Sequence, residues 1–374
     1  MGKYLLYLRT GAITAVLCIS FIFAIKKNYA VPLLLVVAAV CIMFSCKGIR
    51  RMNRFEWYAT ESAHERFPMQ VVRGRFIFKD SSTFYIPAGY LGNRGWGQAG
   101  VSHVAGATYK QIPVGVYIHW FSYAEDKFYE GTFDLPYEKI LALFKEGTQD
   151  MGSGYTDYHY IAVGLAPEGE VSVFLIGIGT KVEVVNNLRA QEVETDWTTI
   201  LNNKQIPRSD WIKERLGKTL TDEQIKDLQK NGIPKGLMDS YRQQYPWKPE
   251  TKNCILKKMV LKTFNGETEL FLSEKFIKRR INRGIPKFAD IFFSDLKDTL
   301  YWAEIFFNEE KTIATFENFF KKVSNENTVM ELIYNVKPRT LNRPKALRTF
   351  DIYLKNSDSI IKLETDKVNL WLKE

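Results

Sequence analysis

Cysteine is nearly missing from most of this 374-residue chain. Cys18, Cys41 and Cys46 lie in or beside an apolar N-terminus, and Cys254 alone lies beyond it. A disulfide framework is thereby excluded, and no CxxC pair exists to build a zinc site. Histidine is sparse as well. His64, His103, His119 and His159 are scattered, with no third ligand in step with His119 and His159, so no metal is expected. Acid is absent from residues 1–54, which carry eight Lys and Arg and so account for +8 of the formal net charge of +10. The rest of the chain is close to balanced, which gives no case for nucleic-acid binding; the basicity belongs to membrane flanks. Phosphate fingerprints are missing too. Residues 88–111 are glycine-rich, but GNRGWG lacks the strand–glycine–helix spacing of a nucleotide loop. Ser62, Ser122 and Ser153 lack a nucleophile-elbow context. No cofactor is expected.

What is present begins with two apolar segments, from about Gly11 to Ile25 and from Tyr29 to Cys46. Each approaches the ~20 residues that cross a bilayer. Residues 1–50 are therefore read as a membrane anchor of two hydrophobic helices, a hairpin with both ends in the cytoplasm. The competing reading is a lipoprotein signal in which Cys46, after Met-Phe-Ser, is the lipidated residue. The two readings leave the membrane face open.

The globular part is organised around residues 112–146. Val116, Ile118, Trp120 and Ser122 alternate on one strand face, and Ala124, Glu125 and Asp126 make a turn. Lys127 to Leu135 returns as a second strand. Pro136 then suits a helix start, with Ile140, Leu141 and Phe144 as its apolar stripe. Strands are also expected at Met69–Phe78, Thr83–Pro87, Tyr158–Leu165 and Val171–Val185. Short helices are expected within 191–248, with Thr221 as a cap. Residues 249–374 return to strand, helix, strand. Ile285-Pro286 and Tyr301 to Phe320 can be laid on Ile112-Pro113 and Tyr129 to Phe144, which suggests a degenerate second copy. The fold class expected is α+β: transmembrane helical segments (1–50), an antiparallel β-rich domain with a covering helix (55–190), a helical bridge (191–248) and a second β-rich module (249–374).

The run Trp120 to Pro136, W-x-S-x-x-E-x-x-F-Y-E-G-x-F-x-L-P, resembles an uncharacterised bacterial envelope family, domain-of-unknown-function family 2931. Trp57 with Ser62 and Pro68, Gly74, Gly95-Trp96-Gly97, and Val163 to Pro167 with Gly169 match its pattern in order. The match covers about residues 55–190. It implies a lipoprotein-like envelope protein, with no established activity and no catalytic residues.

Trp96, Trp120, Tyr123 and Tyr129, with Glu125 at the turn, are the candidate binding residues. Aromatics gathered on one hairpin and one loop suit a protein-binding surface. Lys278, Arg279, Arg280 and Arg283 form a basic patch, with Lys275 and Lys287 nearby, suited to anionic lipid headgroups, an acidic partner or plain solvation. Glu125 and Asp126 are adjacent, so they face opposite ways and suit a structural turn better than acid–base chemistry. The function expected is a membrane-anchored, non-catalytic binding module of the bacterial envelope with a protein partner. Its immunity-type version neutralises a secreted toxin. The alternative is an envelope hydrolase using Glu125 with His119 or His159.

Overall fold

The computed structural model describes residues 53–373 except 93, 103–105, 150–154, 202–203, 273–281, 323–326 and 341–344. The two apolar segments lie outside these residues, and no described helix is long and apolar enough to cross a membrane. The α+β expectation is overturned: the described residues are mostly strand, with five α-helices as a minor part. The reason is that apolar faces are buried sheet against sheet, which leaves helix to cover ends and bridge modules.

In the first module, β1 (Tyr58–Ala63), β2 (Met69–Ile77), β3 (Thr83–Ile86), β4 (Gly115–Ser122) and β5 (Lys127–Asp134) precede α1 (Tyr137–Glu146). After α1 come β6 (Tyr160–Leu165), β7 (Glu170–Ile176) and β8 (Lys181–Arg189). Along β4, Val116, Ile118 and Trp120 are fully buried, while Tyr117 and His119 on the other face are half-buried. The turn to β5 places Asp126 at φ 56°, a left-handed position that Asp tolerates. Helix α1 buries Ile140, Leu141 and Phe144, and ends at Gly147, φ 70°, whose N–H bonds to the Leu143 carbonyl at 2.8 Å. Strands β2, β4 and β5 form an antiparallel meander, with β3 folding back on β2. Strand β1 runs parallel to β6, which pairs antiparallel with β7. Side chains of both sheets and of α1 meet in one core.

Helices α2 (Arg208–Gly217), α3 (Asp222–Asn231) and α4 (Leu237–Arg242) follow. Thr221 caps α3 in a reciprocal box with Gln224. Trp211 and Leu216 of α2 pack against Phe121, Tyr123 and Phe128 in a separate cluster.

The pairing scheme then recurs. Strand β9 (Trp247–Lys252) precedes β10 (Cys254–Thr263), β11 (Thr268–Phe271), β12 (Pro286–Asp295), β13 (Leu300–Phe307) and α5 (Glu309–Lys322). Last come β14 (Thr328–Lys337), β15 (Leu347–Lys355) and β16 (Thr365–Leu372). Strands β10, β12 and β13 repeat the meander, and β11 folds back on β10 as β3 does on β2. Strand β9 runs parallel to β14, which pairs antiparallel with β15. The recurrence reaches single residues. Lys110, buried, donates to the Trp57 carbonyl at 2.8 Å and lies 4.9 Å from the Phe84 ring centroid. Arg283, buried, donates to the Trp247 carbonyl at 2.7 Å and lies 5.9 Å from Phe271.

One sheet runs through both modules in the order β1-β6-β7-β8-β11-β10-β12-β13-β16. The first module supplies its parallel-paired sheet and the second its meander. They meet where Lys181 of β8 pairs with Thr268 of β11.

Candidate functional site

The seam between the modules holds a cavity of about 580 Å³. The glycine-rich loop enters it. Ser62 Oγ donates to the Gly95 carbonyl at 3.2 Å, and the Trp96 N–H donates to Glu65 Oε2 at 3.3 Å. The Trp96 ring then stands edge-on to Phe174, centroids 5.5 Å apart, inside the core of the second module. Two glycines allow this approach. Gly97 has φ +70°, and a Cβ there would lie 2.9 Å from the Gly266 carbonyl and 3.2 Å from Lys181 Nζ. Gly266 has φ +88°, and a Cβ there would lie 2.8 Å from the Trp96 ring.

Lys181 opens β8 at the joint and is 4 % exposed. Its ammonium makes no hydrogen bond or ion pair with a described residue, although it lines the cavity. Burial, with the positive charges of Lys262 and Lys287 behind it, pushes the amine down to about 7. Two carboxylates near it are already engaged. Glu65 is ion-paired with Lys287; burial works to raise its carboxyl, but neighbouring positive charge outweighs that and holds it low. Glu267 accepts from Asn265 Nδ2 at 3.1 Å and from the Glu183 N–H at 3.3 Å. One wall is braced by a half-buried network. Tyr241 donates to Glu309 Oε1 at 2.6 Å, and Arg66 reaches the same oxygen at 2.7 Å. His64 lies 3.3 Å from the Tyr241 hydroxyl, and burial drives its imidazole down to about 3, so it stays neutral at physiological pH.

Of the residues singled out from sequence, Trp96 lines this cavity and the others fall elsewhere. Trp120 stacks on Tyr129 at 5.4 Å within the first core. Tyr123 is buried and donates to Gln70 Oε1 at 2.5 Å. Trp96 is 4 % exposed. These four aromatics therefore form no outer binding surface; strand alternation and the seam turn them inward. Glu125 Oε1 accepts the Glu168 N–H at 2.9 Å and the Tyr129 hydroxyl at 2.9 Å, tying two turns together. His119 instead contacts Thr195 Oγ1 at 3.1 Å. Of the basic patch, Lys278, Arg279 and Arg280 lie outside the described residues, as does Cys46. Arg283 is buried at 1 % exposure and paired with Glu269, so it belongs to the interior. Among the described residues, no three or more His, Cys, Asp or Glu side chains are grouped to hold a metal ion.

Lys181, Lys262 and Glu267 carry the site's electrostatics, and sequence reasoning passed over them. The one signal was a lysine opening an apolar strand after Gly177-Ile178-Gly179-Thr180. Residues 46–236, about half the chain, match the profile of the family described as "Protein of unknown function (DUF2931)". No curated protein and no solved structure matches.

Proposed function

Because the chain belongs to the DUF2931 family, whose description assigns no activity, we propose from its geometry that it is a non-catalytic binding protein with its ligand in the seam cavity. The observation that carries this reading is the way the cavity is built. Its lining comes from the glycine-rich loop, the joint of the shared sheet and the second module, with Trp96, Phe264 and Phe288 among apolar walls. Aromatic walls with convergent charged groups, Lys181, Lys262 and Glu267 among them, give a ligand apolar surface and fixed polar contacts within one concave site. The hydrolase alternative needs Glu125 with His119 or His159 acting together; Glu125 and His119 are engaged with separate partners. The immunity-type version gains no contact surface from these aromatics, which are buried in the cores.

Native mass spectrometry of the full-length protein, incubated with the small-molecule fraction of a cell extract, tests this reading. The wild type should retain a ligand that Phe306→Arg, at the exposed side of the cavity, loses. Turnover of an ester, lipid or peptidoglycan substrate, abolished by Glu125→Gln in a folded protein, would overturn it.

A lipid on Cys46 is the anchor we favour, supported by its place after Met-Phe-Ser and by the family match beginning at that residue. Metabolic labelling with palmitate should mark the wild type and not Cys46→Ser. Equal labelling of both, or of neither, would remove the anchor.

A further inference from the structure

The cavity's floor is ordered by the strand register. Lys181 of β8 pairs with Thr268 of β11, and Thr268 pairs in turn with Lys262 of β10. Lys262 is opposite Phe288 of β12, and Phe288 is opposite Phe306 of β13. Residues in one lateral row of a sheet share a face. Strands lie about 4.8 Å apart, so the two lysine stems rise roughly 10 Å apart from one surface, close enough for both heads to reach one group. The aromatic end of the row continues the same floor, with the Phe288 and Phe306 centroids 4.9 Å apart. All four side chains line the cavity.

From this row, and resting on the seam as the ligand site, we infer that the ligand is an amphipathic oxyanion, a carboxylate or phosphate whose head sits between Lys181 and Lys262 and whose apolar body lies along Phe288 and Phe306. A buried ammonium is costly unless paired. Lys181 has no such pair within the described residues, while nearby Glu65 and Glu267 are engaged with protein donors. An incoming oxyanion supplies the missing partner.

Charge linkage gives the inference a signature. In the free protein Lys181 loses its proton near pH 7. A bound anion favours the charged amine, so binding above that pH takes up a proton, and affinity rises as pH falls from 9 toward 7. The charged groups facing Lys181 are Lys262, Lys287, Glu65 and Glu267, with Arg94, Glu304, Glu309 and Asp366 around the cavity. Glu183, two residues along β8, is pushed up to about 7 by burial and titrates in the same range.

The experiment is isothermal titration of the full-length protein with 3-phenylpropionate, phenyl phosphate and inorganic phosphate, at pH 7 to 9 in buffers of differing ionisation enthalpy. At least one of the two aromatic probes should bind about tenfold or more tighter than inorganic phosphate, and which one does so identifies the head group. Lys181→Met should weaken it about tenfold or more and flatten both the pH dependence and the proton uptake. Lys262→Met, at a half-buried position, should weaken binding and keep the proton uptake; Glu183→Gln should keep both. Unchanged affinity and pH profile in Lys181→Met would overturn the inference. So would inorganic phosphate binding as tightly as the aromatic probes, or no binding by any probe. In that last case the seam reading still stands if Phe306→Arg displaces a ligand in mass spectrometry, and that ligand is then not an oxyanion.

Discussion

Lys181 and Glu61 are buried groups of opposite charge, and each leaves its own mark on stability. The Lys181 amine falls to about 7 from an ordinary 10.5, so between those values the unfolded chain binds more protons than the native one. Its unfavourable contribution is complete below pH 7 and is relieved as pH rises toward 10.5. Lys181→Met should therefore raise the unfolding free energy read from urea melts most at pH 7 and below, by an amount on the order of a few kcal/mol, with the gain fading by pH 10. Glu61 shows the reverse pattern. Burial raises its carboxyl to about 7, although Oε1 accepts the Val101 N–H at 2.8 Å; Oε2 has no partner among the described residues. Between pH 4.5 and 7 the native state binds the extra proton, so stability falls as pH rises through that window. Glu61→Gln should raise the urea midpoint at pH 8 and leave it unchanged at pH 4. A gain that is equal at both pH values would show that ionisation is not its cause.

The elements show why some stretches could be read and others could not. Strand alternation at Val116, Ile118 and Trp120, the turn at Glu125, and the Ile140, Leu141 and Phe144 stripe are local signals, and β4, β5 and α1 stand where they point. Strand β9 is not among the strands the sequence predicts; it straddles the expected end of the helical bridge at residue 248. Its sequence, WKPETK, contains proline, which a central strand tolerates poorly. The structure puts β9 at the edge of its sheet, where Trp247, Pro249 and Thr251 turn inward and β14 supplies the pairing. The short strand carrying Arg283 was missed for a related reason. A basic run looks solvated until a ladder draws one of its members inside, where Arg283 meets Glu269 and the Trp247 carbonyl. Arg283→Ala should therefore cost about 3–5 kcal/mol, because it strands a carboxylate and a carbonyl. Arg283→Lys should recover part of that, as Lys110 fills the corresponding place in the first module. Thermal melts would decide the point: a surface arginine would give an alanine variant within about 0.5 kcal/mol of wild type.

At the scale of the molecule, the two modules depend on each other. They share one sheet, and Trp96, Ala162, Ala166 and Phe174 of the first lie in the core cluster of the second. A chain ended at residue 243 would keep the family-matched region yet expose that apolar set. It should self-associate on size exclusion, while the full-length protein melts in one transition. A monomeric, fully structured 1–243 would show that the seam is not part of the core.

Sequence by itself determined the hairpin, its covering helix and the capped α3, because each rests on neighbours within a few turns or one strand of chain. It also carried the family resemblance, through an ordered set of glycines, prolines and aromatics. The use of those aromatics as core, and the lysine row at the seam, were decided only by tertiary structure. Lys181, Thr268 and Lys262 stand side by side because antiparallel ladders bring distant strands into register, and backbone hydrogen bonds across a sheet leave no periodic trace in the side chains they align.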